Sequence, residues 1–499
     1  MDKFYKKTKI VATLGPATST YESIKALMLN GANVFRLNTS HGTIEDHQEK
    51  FDLVRKISRD LKIHTAIMVD LQGPKIRVGT LEKEYEVKDG ETVVFEAMKQ
   101  ESASRCDGDG RGERSVTGTT EVTHIIPVDY DGIANDVGAG ARMLIDDGRI
   151  EVEVSKVEGS KVYAKVINGG ILKSRKGLNI PGCTASLNAV TERDIQFVEF
   201  AVKNGADYVA LSFVRQKDDV LMAKKYIKDF GGSIPVISKI EKPQAIENLC
   251  EIIAVSEYVM VARGDLGIEL SPVEVPICQK NIIQEANRQR KGVIVATQML
   301  ETMITEPIPT RAEASDIANA IIDGADAVML SAETSVGAFA PQAVKMMSKI
   351  AHAIENSGFY KHNAELEISD QFALTRQAVV FGADRMVSFV NARAIITFSH
   401  NGYSARLLSK LKPSVPVIVI SDLEKTCQEL ALNWGIFPAM RVWDEVMDEA
   451  LLKKLDDFLV DEYGLKKEEY VIIVGSTPYL ISGRTNFIRV HRIGAEAEA

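Results

Sequence analysis

The sequence predicts an α/β protein: a (β/α)8 TIM barrel that carries an inserted β-rich domain and is followed by a separate C-terminal α/β domain. Three observations lead there. Short, β-branched apolar runs alternate with helical patterns until eight have passed, the stretch after the third run changes to alternating strands with Gly-rich turns, and a fresh alternation starts near residue 345. At 499 residues the chain exceeds what one hydrophobic core organises.

The eight runs are Ile10–Ala12, Asn33–Phe35, Ala66–Val69, Tyr208–Leu211, Val236–Ile237, Tyr258–Val261, Val293–Val295 and Ala327–Leu330. They are continuous rather than alternating, as expected of parallel strands covered by helices, and a count that closes at eight favours a barrel. An open doubly wound sheet is the competing architecture. The predicted organisation is barrel over 1–73, insertion over 74–173, barrel again over 174–345 and the last domain over 346–499. Strands are expected in the insertion at Glu84–Val87, Thr92–Phe95, Arg142–Ile145 and Glu151–Val157, with a mobile loop over Ser102–Thr120, which lacks apolar periodicity. The last domain is expected to hold helices near Ala343–Phe359 and Gln371–Val390 and strands at Ala394–Thr397, Val415–Ile420, Tyr470–Val474 and Phe487–Val490.

A net charge of −9 disfavours nucleic acid as the main partner, because phosphate contacts need basic surface. The five cysteines, Cys106, Cys183, Cys250, Cys278 and Cys427, are scattered without CxxC spacing, so neither a zinc cluster nor a disulfide framework is indicated. The charged start leads into Ile10–Leu14, too short for a signal or membrane span, and a cytoplasmic protein with no membrane partner is expected.

Catalytic groups of barrel enzymes gather at the carboxyl ends of the strands. Here those ends are polar almost throughout: Arg36, Asn38, Ser40 and His41; Asp70, Lys75 and Arg77; Ser212 and Arg215; Lys239 and Glu241; Asp265; Thr297 and Gln298; Ser331 and Glu333. Lys239 and Glu241 share one side of an extended backbone, and Asp265 ends the next run, so one ammonium and two carboxylates can converge. A structural ion pair at a strand end is the plainer reading. Two carboxylates suit a hard divalent cation, while arginines and a lysine suit a phosphoryl group. Magnesium is favoured over zinc for want of a His/Cys cluster. A Schiff-base role for Lys239 competes, but the adjacent Glu241 keeps its ammonium charged.

Several segments together resemble the pyruvate kinase family over nearly the whole chain: Arg36–Gly42, Asp70–Arg77, Leu178–Gly182, Ile237–Glu241, Met260–Glu269 and Ala296–Glu301. The resemblance implies transfer of a phosphoryl group from phosphoenolpyruvate to ADP, giving pyruvate and ATP. It assigns Mg2+, with Mn2+ as a possible substitute, to Glu241 and Asp265. Phosphoenolpyruvate falls to Arg36, Lys239, Gly264, Asp265 and Thr297, with Lys239, Thr297 and Arg36 as the catalytic set. The nucleotide falls to Asn38, Thr39, Ser40, His41, Arg77 and Lys176, with the insertion closing as a lid. A homotetramer is also implied.

The chain departs from that pattern at one point. Potassium-dependent relatives usually have threonine and glutamate where Leu71 and Lys75 stand, around a monovalent-cation pocket that matches Asn38, Ser40 and Asp70. Leu71 removes an oxygen ligand and Lys75 brings a fixed charge, so K+ is expected not to be required. A solvent-facing lysine is the alternative. In the C-terminal domain, Ser399 and Ser404 on a strand-to-helix turn could hold a phosphorylated allosteric effector under the segment Gly475–Gly483, or could simply cap a helix. A barrel lyase or aldolase, and a metabolite sensor without turnover, are the alternative functions.

Overall fold

The computed structural model describes residues 6–98, 122–182, 188–360, 374–442, 449–476 and 485–495. The expected loop over Ser102–Thr120, Cys106, Cys183 and most of Gly475–Gly483 lie outside them.

Eight parallel strands close into a barrel in sequential order: Lys9–Thr13, Val34–Asn38, Ala66–Asp70, Tyr208–Leu211, Val236–Ile240, Tyr258–Ala262, Gly292–Ala296 and Ala327–Leu330. Every expected run is one of these strands, and the barrel, not the open sheet, is the architecture. Pleating divides each strand between two cores. Val11, Val34, Met68, Tyr208, Ala210, Ile237, Met260, Ile294 and Met329 point inward, while Ile10, Phe35, Val69, Val209, Val259 and Val295 pack under the helices. Threonines start four of those helices. Thr20, Thr43, Thr191 and Thr310 each accept the N–H of the third helical residue, a cap worth about 1 kcal/mol apiece.

The insertion forms a six-stranded sheet in the order Leu178–Asn179, Arg142–Ile145, Ile150–Glu158, Lys161–Asn168, Thr92–Ala97, Val122–Val128, beside a two-stranded ribbon of Tyr85–Val87 and Gly170–Leu172. The chain's two crossings between barrel and insertion pair with each other at Arg77 and Gly177. The last domain has a five-stranded sheet ordered Ile436–Met440, Val417–Ser421, Ala394–Phe398, Tyr470–Gly475, Phe487–Arg492, its final strand antiparallel.

Five strands go beyond the sequence expectation, two of them the short Gly170–Leu172 and Leu178–Asn179. Val122–Val128 and Ile436–Met440 contain Pro127 and Pro438, which argue against a strand, yet both lie at sheet edges where a missing N–H costs no ladder bond. Lys161–Asn168 is central, and its buried Val162, Ala164 and Val166 do carry the period of two.

The C-terminal domain closes the floor of the barrel. Ala431 and Leu432 complete the inward core, the Tyr208 hydroxyl donates to the Glu429 carbonyl at 2.5 Å, and Lys9 Nζ donates to the Ile436 carbonyl at 2.6 Å. Buried Asp326, beside the eighth strand, pairs with Lys410 and lies 3.5 Å from Lys412. Among the described residues no helix is long and apolar enough to cross a membrane, and Cys250, Cys278 and Cys427 are free.

Candidate active site

The same pleat that fills the barrel with Met68, Ala210 and Ile237 delivers Asp70, Ser212, Lys239 and Glu241 to its carboxyl mouth, two or four residues further along each strand line. Thr13 and Arg36 arrive by the same parity from Val11 and Val34.

Lys239 is the centre of this cluster. Its ammonium lies 2.8 Å from Glu241 Oε1 and 3.5 Å from Asp70 Oδ1, and donates to Ser212 Oγ at 2.7 Å. Ser212 in turn donates to the Leu71 carbonyl at 2.7 Å. Arg36 Nε donates to Asp70 Oδ2 at 2.6 Å, and its Nη1 reaches Thr13 Oγ1 at 3.1 Å. Two cations therefore share Asp70, and neither is neutralised by it alone. Burial pulls the Lys239 pKa down, but Asp70 and Glu241, with Asp265 adding and Arg36 opposing, carry it above the usual lysine range. The ammonium does not lose its proton near neutrality. That removes the neutral amine a Schiff-base enzyme needs.

Burial raises the Glu241 pKa, Lys239 opposes, and Asp265 adds to the rise, so the carboxylate calls for more positive charge than Lys239 supplies. Its Oε2 accepts the Phe213 N–H at 2.8 Å, while buried Oε1 faces the Lys239 ammonium at 2.8 Å. Asp265 stands in the first turn of the short helix Arg263–Glu269, directly after the sixth strand. A buried carboxylate that shares one ammonium with Asp70 and feels the like charge of Asp265 fits a hard cation that takes its other ligands from substrate and water. No group of three or more His, Cys, Asp or Glu suited to a metal occurs among the described residues.

Thr297 closes the other side. Its hydroxyl accepts the Gly264 N–H at 2.7 Å and donates to the Ala296 carbonyl at 2.6 Å. Thr297 and Gln298 both have positive φ, 70° and 54°, a strained setting for a β-branched residue. Arg263 holds them there: its guanidinium donates to the Thr297 carbonyl at 2.6 Å and to the Ala296 carbonyl at 3.3 Å, and pairs with Asp316 at 2.7 Å. Neither Arg263 nor Thr13 stood out in the sequence. The only signal for Arg263 is its place next to Gly264-Asp265.

The remaining candidates divide. Asn38 and Ser40 are half-buried at the second strand's end, the Asn38 side chain accepting the Ser40 N–H at 3.2 Å, and His41 is exposed. Thr39 is fully buried, its hydroxyl donating to the Asp70 carbonyl at 2.9 Å and its carbonyl taken by Arg193 at 3.0 Å, so its side chain does not face the cleft. Arg77 and Lys176 flank the paired crossings, Lys176 bound to Asp146 at 2.8 Å. Lys75 is not brought to Asp70. Its stem packs on Gly177, where an added Cβ would lie 2.9 Å from Lys75 Cε, and the cations that meet Asp70 are Arg36 and Lys239. Ser399 and Ser404 are both buried, and the Ser404 hydroxyl bonds the Thr485 hydroxyl.

An eight-stranded barrel whose mouth combines a charged lysine, an arginine and paired carboxylates defines an enzyme of the barrel phosphotransferase class. Comparison with known proteins narrows this. The family model "Pyruvate kinase, barrel domain" matches residues 5–344, and "Pyruvate kinase, alpha/beta domain" matches 377–491. Pyruvate kinase of Staphylococcus aureus strain USA300 is 37% identical over 497 residues, covering 98% of this chain and 81% of the relative. The same figures hold for the S. aureus bovine strain RF122 / ET3-1. The chain belongs to the pyruvate kinase family.

Proposed function

We propose that this enzyme transfers the phosphoryl group of phosphoenolpyruvate to ADP in a magnesium-dependent, potassium-independent reaction, with Mn2+ able to replace Mg2+. The observation that carries the reading is the Lys239 ammonium, held charged between Asp70 and Glu241 within the barrel mouth.

The P–O bond of phosphoenolpyruvate breaks as a β-phosphate oxygen of ADP bonds to phosphorus, leaving the enolate of pyruvate, which takes a proton at its methylene carbon. Charge spreads over the moving phosphoryl oxygens, so fixed cations accelerate the step. Lys239 and Arg36 supply them, already oriented by Asp70, Ser212 and Thr13 and needing little reorganisation. Glu241 and Asp265 would hold the divalent ion, which when bound adds positive charge against the substrate oxygens. The Gly264 and Asp265 backbone at a helix start suits the substrate carboxylate. Thr297, hydrogen-bonded on both sides, orients a water that protonates the enolate; its own hydroxyl is too weak an acid to act alone. Asn38, Ser40, His41, Arg77 and Lys176 are assigned to the nucleotide on the strength of family resemblance, with Thr39 contributing through the shape of the turn.

Potassium independence rests on Leu71 and Lys75. Leu71 is buried and offers no side-chain oxygen beside Asp70. Lys75, at the lid crossing, would reach the Asp70 pocket when the lid closes. Ser399 and Ser404 are assigned to a phosphorylated effector, and the enzyme to a cytoplasmic homotetramer, on the strength of family resemblance. The test is a lactate-dehydrogenase-coupled assay with each metal varied. Turnover should need Mg2+ or Mn2+ and stay the same within about twofold on adding K+; a large rise with K+ removes the Lys75 reading, and no turnover at all removes the kinase reading.

A further inference from the structure

The two candidate metal carboxylates sit on separate elements, Glu241 after the fifth strand and Asp265 on the helix Arg263–Glu269. One ion pair joins those elements. Lys242, the residue after Glu241, extends its ammonium to Glu269 Oε1 at 2.5 Å, and Glu269 is the last residue of the helix that carries Asp265 in its first turn. The Glu269 side chain is 1% exposed and that of Lys242 19%.

The insertion reaches the same oxygen. Asn179 Nδ2 donates to Glu269 Oε1 at 3.2 Å, and Asn179 belongs to the lid's edge strand, opposite Leu144. Phe213 closes the circuit from the other side: its N–H binds Glu241 Oε2 at 2.8 Å, while its ring lies 5.5 Å from Lys242 Nζ. Phe213 has φ 55°, a conformation a bulky residue adopts only when its surroundings hold it.

We propose that Lys242 and Glu269 form a positioning latch that sets the spacing between Glu241 and Asp265 for the divalent ion, and that Asn179 links this spacing to the lid. The inference rests on the assignment of Glu241 and Asp265 as metal ligands. In this role Lys242 need touch neither substrate nor metal. It acts through the two backbones it ties together, and a buried carboxylate such as Glu269 holds its position only while its cation is present.

The test is direct Mn2+ binding to the whole protein without substrate, followed by electron paramagnetic resonance of free Mn2+. Lys242→Met, which keeps the stem and removes the charge, should weaken Mn2+ affinity by about tenfold. Glu269→Gln should do the same, and the double variant should be no weaker than either single one. Unchanged affinity in the single variants, or fully additive losses in the double variant, overturns the latch. Should Lys242→Met fail to fold, Glu269→Gln keeps the shape and decides alone. Glu241→Gln separates the two levels of inference. If it still binds Mn2+ tightly, the metal assignment falls and the latch with it; if it loses the ion while Lys242→Met keeps it, only the latch falls.

Discussion

Lys239, near the end of the fifth strand, and Glu241, just past it, meet at 2.8 Å with both side chains turned into the barrel mouth. Each is buried, so neither could remain charged there alone, and the pair survives because Asp70 and Ser212 complete the lysine's shell while the Phe213 N–H holds the carboxylate.

Replacing Lys239 with methionine removes the charge that faces the moving phosphoryl group. Loss of such a contact costs about 3 kcal/mol of transition-state stabilisation, or roughly a hundredfold or more in kcat. The coupled assay measures this directly. The variant should also unfold at lower urea concentration at pH 8 than at pH 5, because buried Glu241, its pKa already raised by burial, loses its cation and is best kept protonated. A variant with normal kcat would remove Lys239 from the catalytic set.

Thr297 combines strain with function, so Thr297→Ala should separate the two. Removing the β-branch at φ 70° relieves part of the strain but leaves the Gly264 N–H without its acceptor, so stability falls by about 1 kcal/mol, while enolate protonation slows. The expected result is a thermal midpoint only slightly below that of the parent, together with about a tenfold loss in the exchange of pyruvate methyl protons with D2O. Equal exchange rates would show that the proton arrives by another route.

The cation pocket can be reverted. Leu71→Thr with Lys75→Glu restores an oxygen ligand and removes the fixed charge, and the double variant should become K+-stimulated by about tenfold or more. The single variant Lys75→Glu should lose activity without being rescued by K+, since Leu71 still denies the ion a ligand. A K+ titration of kcat distinguishes these outcomes.

The domain interface predicts a pH dependence. Burial lowers the Lys412 pKa to about 8; Asp326 and Glu355 oppose the shift and Lys410 reinforces it. The unfolded chain has an ordinary lysine near pH 10.4, so between about 8 and about 10.4 the unfolded state binds more protons and stability rises with pH. Buried Lys6, at about 8, and Lys9, at about 7, act in the same sense. Urea denaturation should therefore show a midpoint that climbs from pH 8 to pH 9.5, below the range where buried tyrosines ionise. Lys412→Met should flatten part of that climb, which for one group is at most about 3 kcal/mol. A slope identical to the parent's would mean that Lys412 does not carry it.

Residue by residue, the barrel was the most legible part of the chain. Runs such as Ala66–Val69 and Tyr258–Val261 are apolar at every position because both faces of the strand are covered. The edge strand Ile436–Met440 was the least legible. Its Pro438 speaks against a strand, and only its place at the margin of the sheet makes that proline harmless. In the site, polarity at strand ends identified Lys239, Glu241 and Asp70, but that same polarity could not say which groups bond each other. Lys75 illustrates this: its charge is evident from sequence, whereas its position against Gly177 is a matter of how the lid crossings pair.

The sequence by itself determined the eight-stranded barrel, the place of the insertion and the kind of chemistry its strand ends support, because apolar periodicity and residue type are local properties written along the chain. Tertiary structure alone decided that Arg36 and Lys239 share Asp70, that Arg263 strains Thr297, and that Lys242 ties the Glu241 strand to the Asp265 helix. Those relations join residues 27 to 203 positions apart, on elements brought together only when the barrel closes, and no pattern along one strand encodes a distance to another.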